Sequence, residues 1–568
     1  MLRTPSLLRL RPTSIGLVVL AFAAAQPLVA EAVTVNCSAG QTITQALALS
    51  GGGAGPKQLV ITVSGNCNEN VVIARDDVTI NTNGVVPATI TAQNAGLPTI
   101  QLDGARRIVI DGVMANGITI IGGLHGLSAT RGATASLARC DVSGATSSVS
   151  NGVLASNDST LEIDNCVIHD NNRGAAVSNN ATLFVTNSTV RNNANEGLLA
   201  TRGGYLRAGQ DRGGSVVARP VTVNNNGTQG ISILDSSSAT IVASNIHHNG
   251  SNGVLFQRGG VGLVGVGVNG LVSPNTIVDN TATGVTIYMS SAALVQGNTL
   301  DRNSRGVFVG TSSATIIGNS IQNNVGQGNG QGFGIEVTEK GSARIGIVDG
   351  ASSTSANIIS GNANSGIGIF NGGEGVVAGN TISSNGGHGI GMNMGTLNLV
   401  GGNTISSNAF HGISVGASRL FQGPGTFGTL PDTADVSQNN GQAGLFLFNN
   451  ASAELYRISL TNNARQGIGA SLNSTINLHV YDAARPNNLI SIVNNGIANV
   501  VNNNDGIALF SASMLISPQN PGGPGQVFIT GHPGWGVNCF GTTTKAAAGM
   551  DQTGISGNTL GTFNCGGF

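Results

Sequence analysis

Titratable side chains are scarce in this chain, so the places where they gather carry weight. Charged residues make up 9% of 568, the net charge is −1 and there are eight histidines. His248, Asp279 and Arg302 occupy equivalent places in a recurring segment, with His247 and Asp301 beside them. A histidine near a carboxylate is equipped for general base work, and an arginine binds a substrate carboxylate. On neighbouring strands these groups would form a candidate catalytic site. The plainer alternative is a surface ion-pair ladder that offsets stacked like charges and adds little stability.

His388 and His411 stand just before a glycine, one 23-residue step apart, between Ser365 and Ala443 in the same register. Two stacked imidazoles could share a metal, but no third ligand is in register. No cofactor and no metal are therefore expected, and polar turn residues are the simpler reading. Tyr288, Phe308, Phe370, Phe446, Phe448 and Phe510 fall where short strands should face outward. Exposed rings on a flat face make a platform for sugars or for a partner. The rival expectation is that Gly- and Pro-rich residues 417–435 fold over Phe446 and Phe448.

The positioning elements follow from internal repeats. Gly, an aliphatic residue, any residue and a second apolar one, as in Gly366-Ile367-Gly368-Ile369, recur from Gly152 to Gly536, many steps being 22 or 23 residues. Between them lies Asn, a small residue, an aliphatic one, two polar positions and Asn, as in Asn380-Thr381-Ile382-Ser383-Ser384-Asn385. A third short apolar run, such as Ala314-Thr315-Ile316-Ile317, completes the unit. Such a repeat cannot bury its own apolar side, so copies must stack. Three strands per turn predict a single-domain, all-β parallel β-helix of about fifteen or more rungs, roughly 70 Å long or more at ~4.8 Å per rung. Gly ahead of each strand is expected to supply φ > 0, and Asn to form ladders along the axis. Leucine-rich repeats need a different Leu pattern, and the calcium-binding Gly-Gly-x-Gly-x-Asp roll is absent.

On these Gly-(Ile/Val)-x-(Ile/Val) and Asn-x-Ile-x-x-Asn units the chain resembles the pectate-lyase-like right-handed parallel β-helix superfamily. The resemblance implies the fold, often with an N-terminal helical lid, and a membership spanning polysaccharide lyases, glycoside hydrolases, uronate epimerases, phage tailspikes and adhesins. Gly387-His388-Gly389 matches one polygalacturonase motif, but the companion Asn-Thr-Asp and Arg-Ile-Lys are missing. The one Asp-Asp pair, Asp76-Asp77, lies more than ten rungs from His388. No triple-acid cluster fits a calcium-dependent lyase.

The ends and compartment read as follows. Arg3, Arg9 and Arg11, the apolar run Ile15–Ala25 and Ala30-Glu31-Ala32 predict a signal peptide, residues 1–32, cleaved after Ala32. Residues 33–59 form an N-terminal cap with a helix at about 41–50. Residues 60–515 form the β-helix, and 516–568 a C-terminal cap. The expected site is secreted, periplasmic or on the cell surface, with no membrane span. Net charge offers no case for nucleic acid. Cys37 with Cys67, Cys140 with Cys166 and Cys539 with Cys565 are each about one rung apart and are expected as disulfides, buried thiols being the alternative for the middle couple. Two functions are carried forward: a non-catalytic exported scaffold binding polysaccharide or a cell-surface glycan, and a polysaccharide lyase, hydrolase or epimerase acting at His248, Asp279 and Arg302.

Overall fold

In one rung, Ile367–Phe370, Glu374–Val377 and Thr381–Ser383 are three short strands separated by tight corners. Ile367 pairs in parallel with Ile390, and Ile390 with Ile413. All three are fully buried. Successive rungs therefore stack in register, as the repeat predicts. The computed structural model describes residues 31–49, 58–115, 117–326, 332–347, 354–423, 433–479, 489–498, 504–516, 526–540, 545–546 and 554–565.

The strands build three parallel sheets. Sheet 1 holds the Gly-headed strands, sheet 2 the following strand of each rung and sheet 3 the Asn element. Sheet 1 has 19 strands, from Val71–Ile73 to Gly561–Asn564, which gives a rod of roughly 85 Å at ~4.8 Å per strand. Inward Ile, Val and Leu from all three sheets make one continuous core. Alternation along each strand sends the intervening residues outward, as the burial pattern of Leu445–Phe448 shows.

Two features of the corners depart from expectation or sharpen it. The heading glycines are not there for positive φ. A Cβ on Gly366 would stand 2.6 Å from Ile382 Cγ2 and 2.9 Å from the Gly389 carbonyl oxygen, so glycine is required by close approach. The left-handed conformation belongs instead to the second polar position of the Asn element, just before its closing Asn. Asp170, Asn192, Asn225, His248, Asp279, Arg302 and Asn323 all have φ between 50° and 55°, a region most tolerant of Asn and Asp.

The asparagines form two buried ladders. At the corner from sheet 3 to sheet 1, Asn362 N–H and Nδ2 both donate to Asn385 Oδ1, and Asn385 does the same to Asn408. At the corner from sheet 2 to sheet 3, Asn357, Asn380 and Asn403 repeat the pattern. Each amide thus satisfies buried backbone that has no water.

The predicted helix is present as Ile43–Leu49. Thr42 and Gln45 form a reciprocal capping box, Glu69 accepts the N–H groups of Ile43 and Thr44, and Ile43 and Ala46 enter the core. The expected boundary at 515 is corrected: Gln526–Thr530, Trp535–Phe540 and Gly561–Asn564 continue the parallel ladders, because Gly536-Val537-Asn538-Cys539 repeats the Gly-headed pattern. Residues 1–30 lie outside the described residues. A strand at Glu31–Asn36 pairs with Leu59–Asn68, so cleavage after Ala32 would leave four residues of it.

Cys37–Cys67 and Cys539–Cys565 are disulfides. Cys140 and Cys166 are a correction: they are free and buried. They occupy the side-chain slot of the sheet 2 to sheet 3 corner. Cys140 N–H meets Cys166 Sγ at 3.4 Å, Cys166 N–H donates to Ser188 Oγ, and each thiol donates to the carbonyl two residues earlier. Ser188 and Ser244 bond in that same way. Burial pushes the Cys140 thiol well above its ordinary pKa.

Candidate functional site

Four clusters on the outside of this rod could do chemistry or hold a ligand. The first is the predicted one. Ile246, Ile277 and Leu300 align across sheet 3, which makes His248, Asp279 and Arg302 successive corner residues. Arg302 Nε and Nη2 donate to the two oxygens of Asp279, both at 2.8 Å. Arg302 also bonds Asp301, which accepts from Asn323 Nδ2 at 2.9 Å. The guanidinium holds the Asp279 carboxyl below its usual range. His247 Nδ1 lies 2.7 Å from His248 Nδ1, and burial, followed by the neighbouring His248, lowers the His247 pKa. The sequence columns come together as aligned. Their bonds are those of an ion-pair ladder, with both Asp279 oxygens committed to arginine and none to a histidine.

The histidine held by carboxylates is another one. His169 Nδ1 lies 2.6 Å from Asp170 Oδ2, and Nε2 lies 3.0 Å from Asp141 Oδ1. Arg191 follows His169 on the next rung. Asp141 does not occupy the equivalent place in its segment: Ser143 pairs with His169, and Asp141, two residues earlier in the strand, reaches His169 diagonally. The outward alternation of Cys140–Ser143 is the signal that would have exposed it.

The His388/His411 pair is stacked, with ring centroids 5.3 Å apart. His388 N–H donates to Ser365 Oγ, His411 N–H to His388 Nδ1 and Ala443 N–H to His411 Nδ1. Both Nδ1 atoms are therefore acceptors in a backbone ladder. Burial lowers His388 to about 4 and His411 to about 3, so both rings are neutral. The close group Cys37, Cys67 and Glu69 is likewise consumed, by a disulfide and by the helix cap.

The rings form the fourth cluster. Tyr288, Phe308, Phe370, Phe446, Phe448 and Phe510 all face outward from sheet 1 and are half-buried. Several lie flat over glycines of adjoining positions. A Cβ on Gly469 would meet Phe446 Cδ2 at 2.7 Å, one on Gly310 would meet Tyr288 Cδ2 at 2.9 Å, and the Phe448 ring covers Gly416. Glycine thus leaves room for each of these rings beside the backbone, while Phe446 stacks on His411 and part of each ring stays exposed. Phe410, His388, His411, Phe446 and Phe448 make a run of neighbouring rings. Phe510 stacks on Phe540 at 4.4 Å, a ring that the sequence reading omitted. The expected cover is absent over 419–422: Arg419–Gln422 is a strand of sheet 2, while 424–432 lies outside the described residues.

The corners decide what reaches these rings. Between sheets 1 and 2 the connections are two to four residues throughout, so that edge of the strip is open along the rod. Long connections, such as Ala208 to Thr222 and Val264 to Thr276, leave mostly from the corner between sheets 2 and 3. Beside them a groove of about 850 Å³ crosses the outer face of sheet 2, floored by Val261, Leu263 and Leu294 with Tyr205 and Arg344 on its lining. It does not include the His248 cluster.

Residues 60–211, 208–349 and 331–424 match the family described as right handed beta helix region. No curated protein matches the chain. Among solved structures the chain is similar to pectate lyase Pel9A, at 14% identity and TM-score 0.31, covering 51% of this chain and 75% of that one. It is also similar to the periplasmic alginate epimerase AlgG, at 12% identity and TM-score 0.31, covering 75% and 83%. A third is the A-module of the Azotobacter vinelandii mannuronan C-5 epimerase AlgE6, at 12% identity and TM-score 0.18, covering 86% and 92%. No residue role is carried over from them.

Proposed function

The chain belongs to the right-handed β-helix family, and from that premise we propose that it is an exported scaffold that binds glycan along sheet 1 without catalysis. The observation that carries this reading is the ring strip. Tyr288 to Phe510 spans nine strands of sheet 1, about 38 Å over eight steps of ~4.8 Å, beside an edge whose connections to sheet 2 are two to four residues. Half-exposed rings fixed by glycine or by a neighbouring ring are preorganised, so a sugar packs against their exposed parts with little loss of side-chain freedom. The disulfides Cys37–Cys67 and Cys539–Cys565 suit an extracytoplasmic compartment. Among the described residues no helix is long and apolar enough to cross a membrane.

Affinity electrophoresis in gels loaded with soluble polysaccharides tests the reading. The protein is retarded by at least one glycan, and Phe446→Ala with Phe448→Ala releases it while its melting temperature stays close to that of the parent. Mobility that no glycan alters would defeat the proposal.

One observation favours a second reading, a polysaccharide-active enzyme. His169 is oriented by Asp141 and Asp170 with Arg191 beside it, a histidine and carboxylate arrangement with the parts for proton transfer. Release of unsaturated products or reducing ends from acidic polysaccharides, abolished by His169→Ala or by His248→Ala, would establish it.

A further inference from the structure

The upper part of the ring strip has a chemical character of its own. From Ile367 to Phe510 the outward positions of sheet 1 are Gly368, Phe370, Gly391, Asn393, Ser414, Gly416, Phe446, Phe448, Gly469, Ser471, Ala508 and Phe510, and none is charged. The corner that follows these strands places exposed carboxamides beside the rings: Asn371, Asn393, Asn449, Asn450 and Asn473. Among the described residues no hydrogen bond ties these five side chains down, and all five are exposed, so their donors and acceptors face solvent. The arginines lower on the rod are occupied. Arg302 is held by Asp279 and Asp301, and Arg305 pairs with Glu336. Among the described residues, Arg465 lies near His411 and Lys340 lies against the corner at Gly372.

A polyuronate brings a carboxylate on each sugar, and one arginine and one lysine over six strands cannot answer that charge. Hydroxyl-rich, uncharged sugars ask for exposed aromatic surface and for groups that both donate and accept, and the strip supplies both. Resting on the glycan-binding reading above, we infer that the polysaccharide held between Phe370 and Phe510 is electrically neutral, recognised by ring stacking and free carboxamides in place of ion pairs. The neutral imidazoles of His388 and His411 extend the same uncharged surface toward Phe410.

Calorimetric titration of the mature chain decides the matter, with four probes of matched length: β-glucan and mannan oligosaccharides as neutral ligands, oligogalacturonate and oligoalginate as acidic ones. A neutral probe binds with an affinity unchanged between low and high salt. Phe448→Ala weakens it about tenfold. Asn450→Gly weakens it about threefold; Asn450 has φ 60°, so glycine removes the carboxamide without straining the corner. Binding of an acidic probe alone, falling with salt and lost in Phe448→Ala, overturns the neutral assignment and leaves the glycan reading standing. No binding by any probe, or binding of a neutral probe that both variants leave unchanged, removes the glycan reading and this inference together.

Discussion

At Asp435 the ladder between sheets 2 and 3 ends on a carboxylate after an unbroken run of asparagines from Asn275 to Asn403. Asn403 donates its N–H and Nδ2 to Oδ1 at 3.1 and 2.7 Å, and Gln422 Nε2 donates to Oδ2 at 3.0 Å. Both oxygens face donors, so an asparagine would set its own NH2 against Gln422. The cost is burial of a charge, which lifts the pKa to about 6 against those hydrogen bonds. A raised carboxylate binds its proton more tightly when folded, so its contribution is fully present below about pH 4 and is lost as pH rises through 6. Relative to the parent, Asp435→Asn should therefore gain on the order of 1–3 kcal/mol between pH 4 and pH 7, read as the difference of two denaturation series. That difference is needed because His388 and His411, with lowered pKa values, run the other way: their contribution is present above about pH 6.5 and is lost toward pH 4. The exposed Arg302–Asp279 pair is of another kind, and Asp279→Asn should cost under about 1 kcal/mol by urea melt. Residue registers such as His248, Asp279 and Arg302 were legible in the sequence because inward Ile and Leu fix the alignment. Asp141 was not, since diagonal contacts depend on side-chain length, and the free thiols were not, since spacing alone does not show which backbone groups a side chain serves.

Each rung is an element that owes its shape to its corners. The sequence patterns announced the three strands and the Asn ladders, because a buried corner amide must recur wherever backbone lacks water. They misplaced the reason for glycine: the heading position needs the absence of a Cβ near Ile382 and Gly389, while the left-handed turn is made by Asn, Asp, Ser, His or Arg. Two outcomes follow. Asn385→Ala orphans donors of Asn362 and the carbonyl of Ile359, and should cost about 2 kcal/mol or more in chemical denaturation. Gly366→Ala should be similarly damaging, whereas Asn323→Gly, at φ 50°, should change the midpoint little.

Across the whole molecule, the repeat decides which distant residues become neighbours, and so it decides the binding face. The strip is a property of the rod: its rings come from strands up to 222 residues apart, Tyr288 to Phe510, brought together on a single sheet whose edge toward sheet 2 has only short corners. Hydroxyl-radical footprinting with and without a bound glycan tests this most directly, because it reports on side-chain rings one by one. Protection should recur once per few rungs, at Phe370, Phe446, Phe448 and Phe510, and leave Tyr205, Leu263 and Leu294 on sheet 2 unchanged. Protection confined to the sheet 2 groove, or running continuously through one stretch of sequence, would contradict the account.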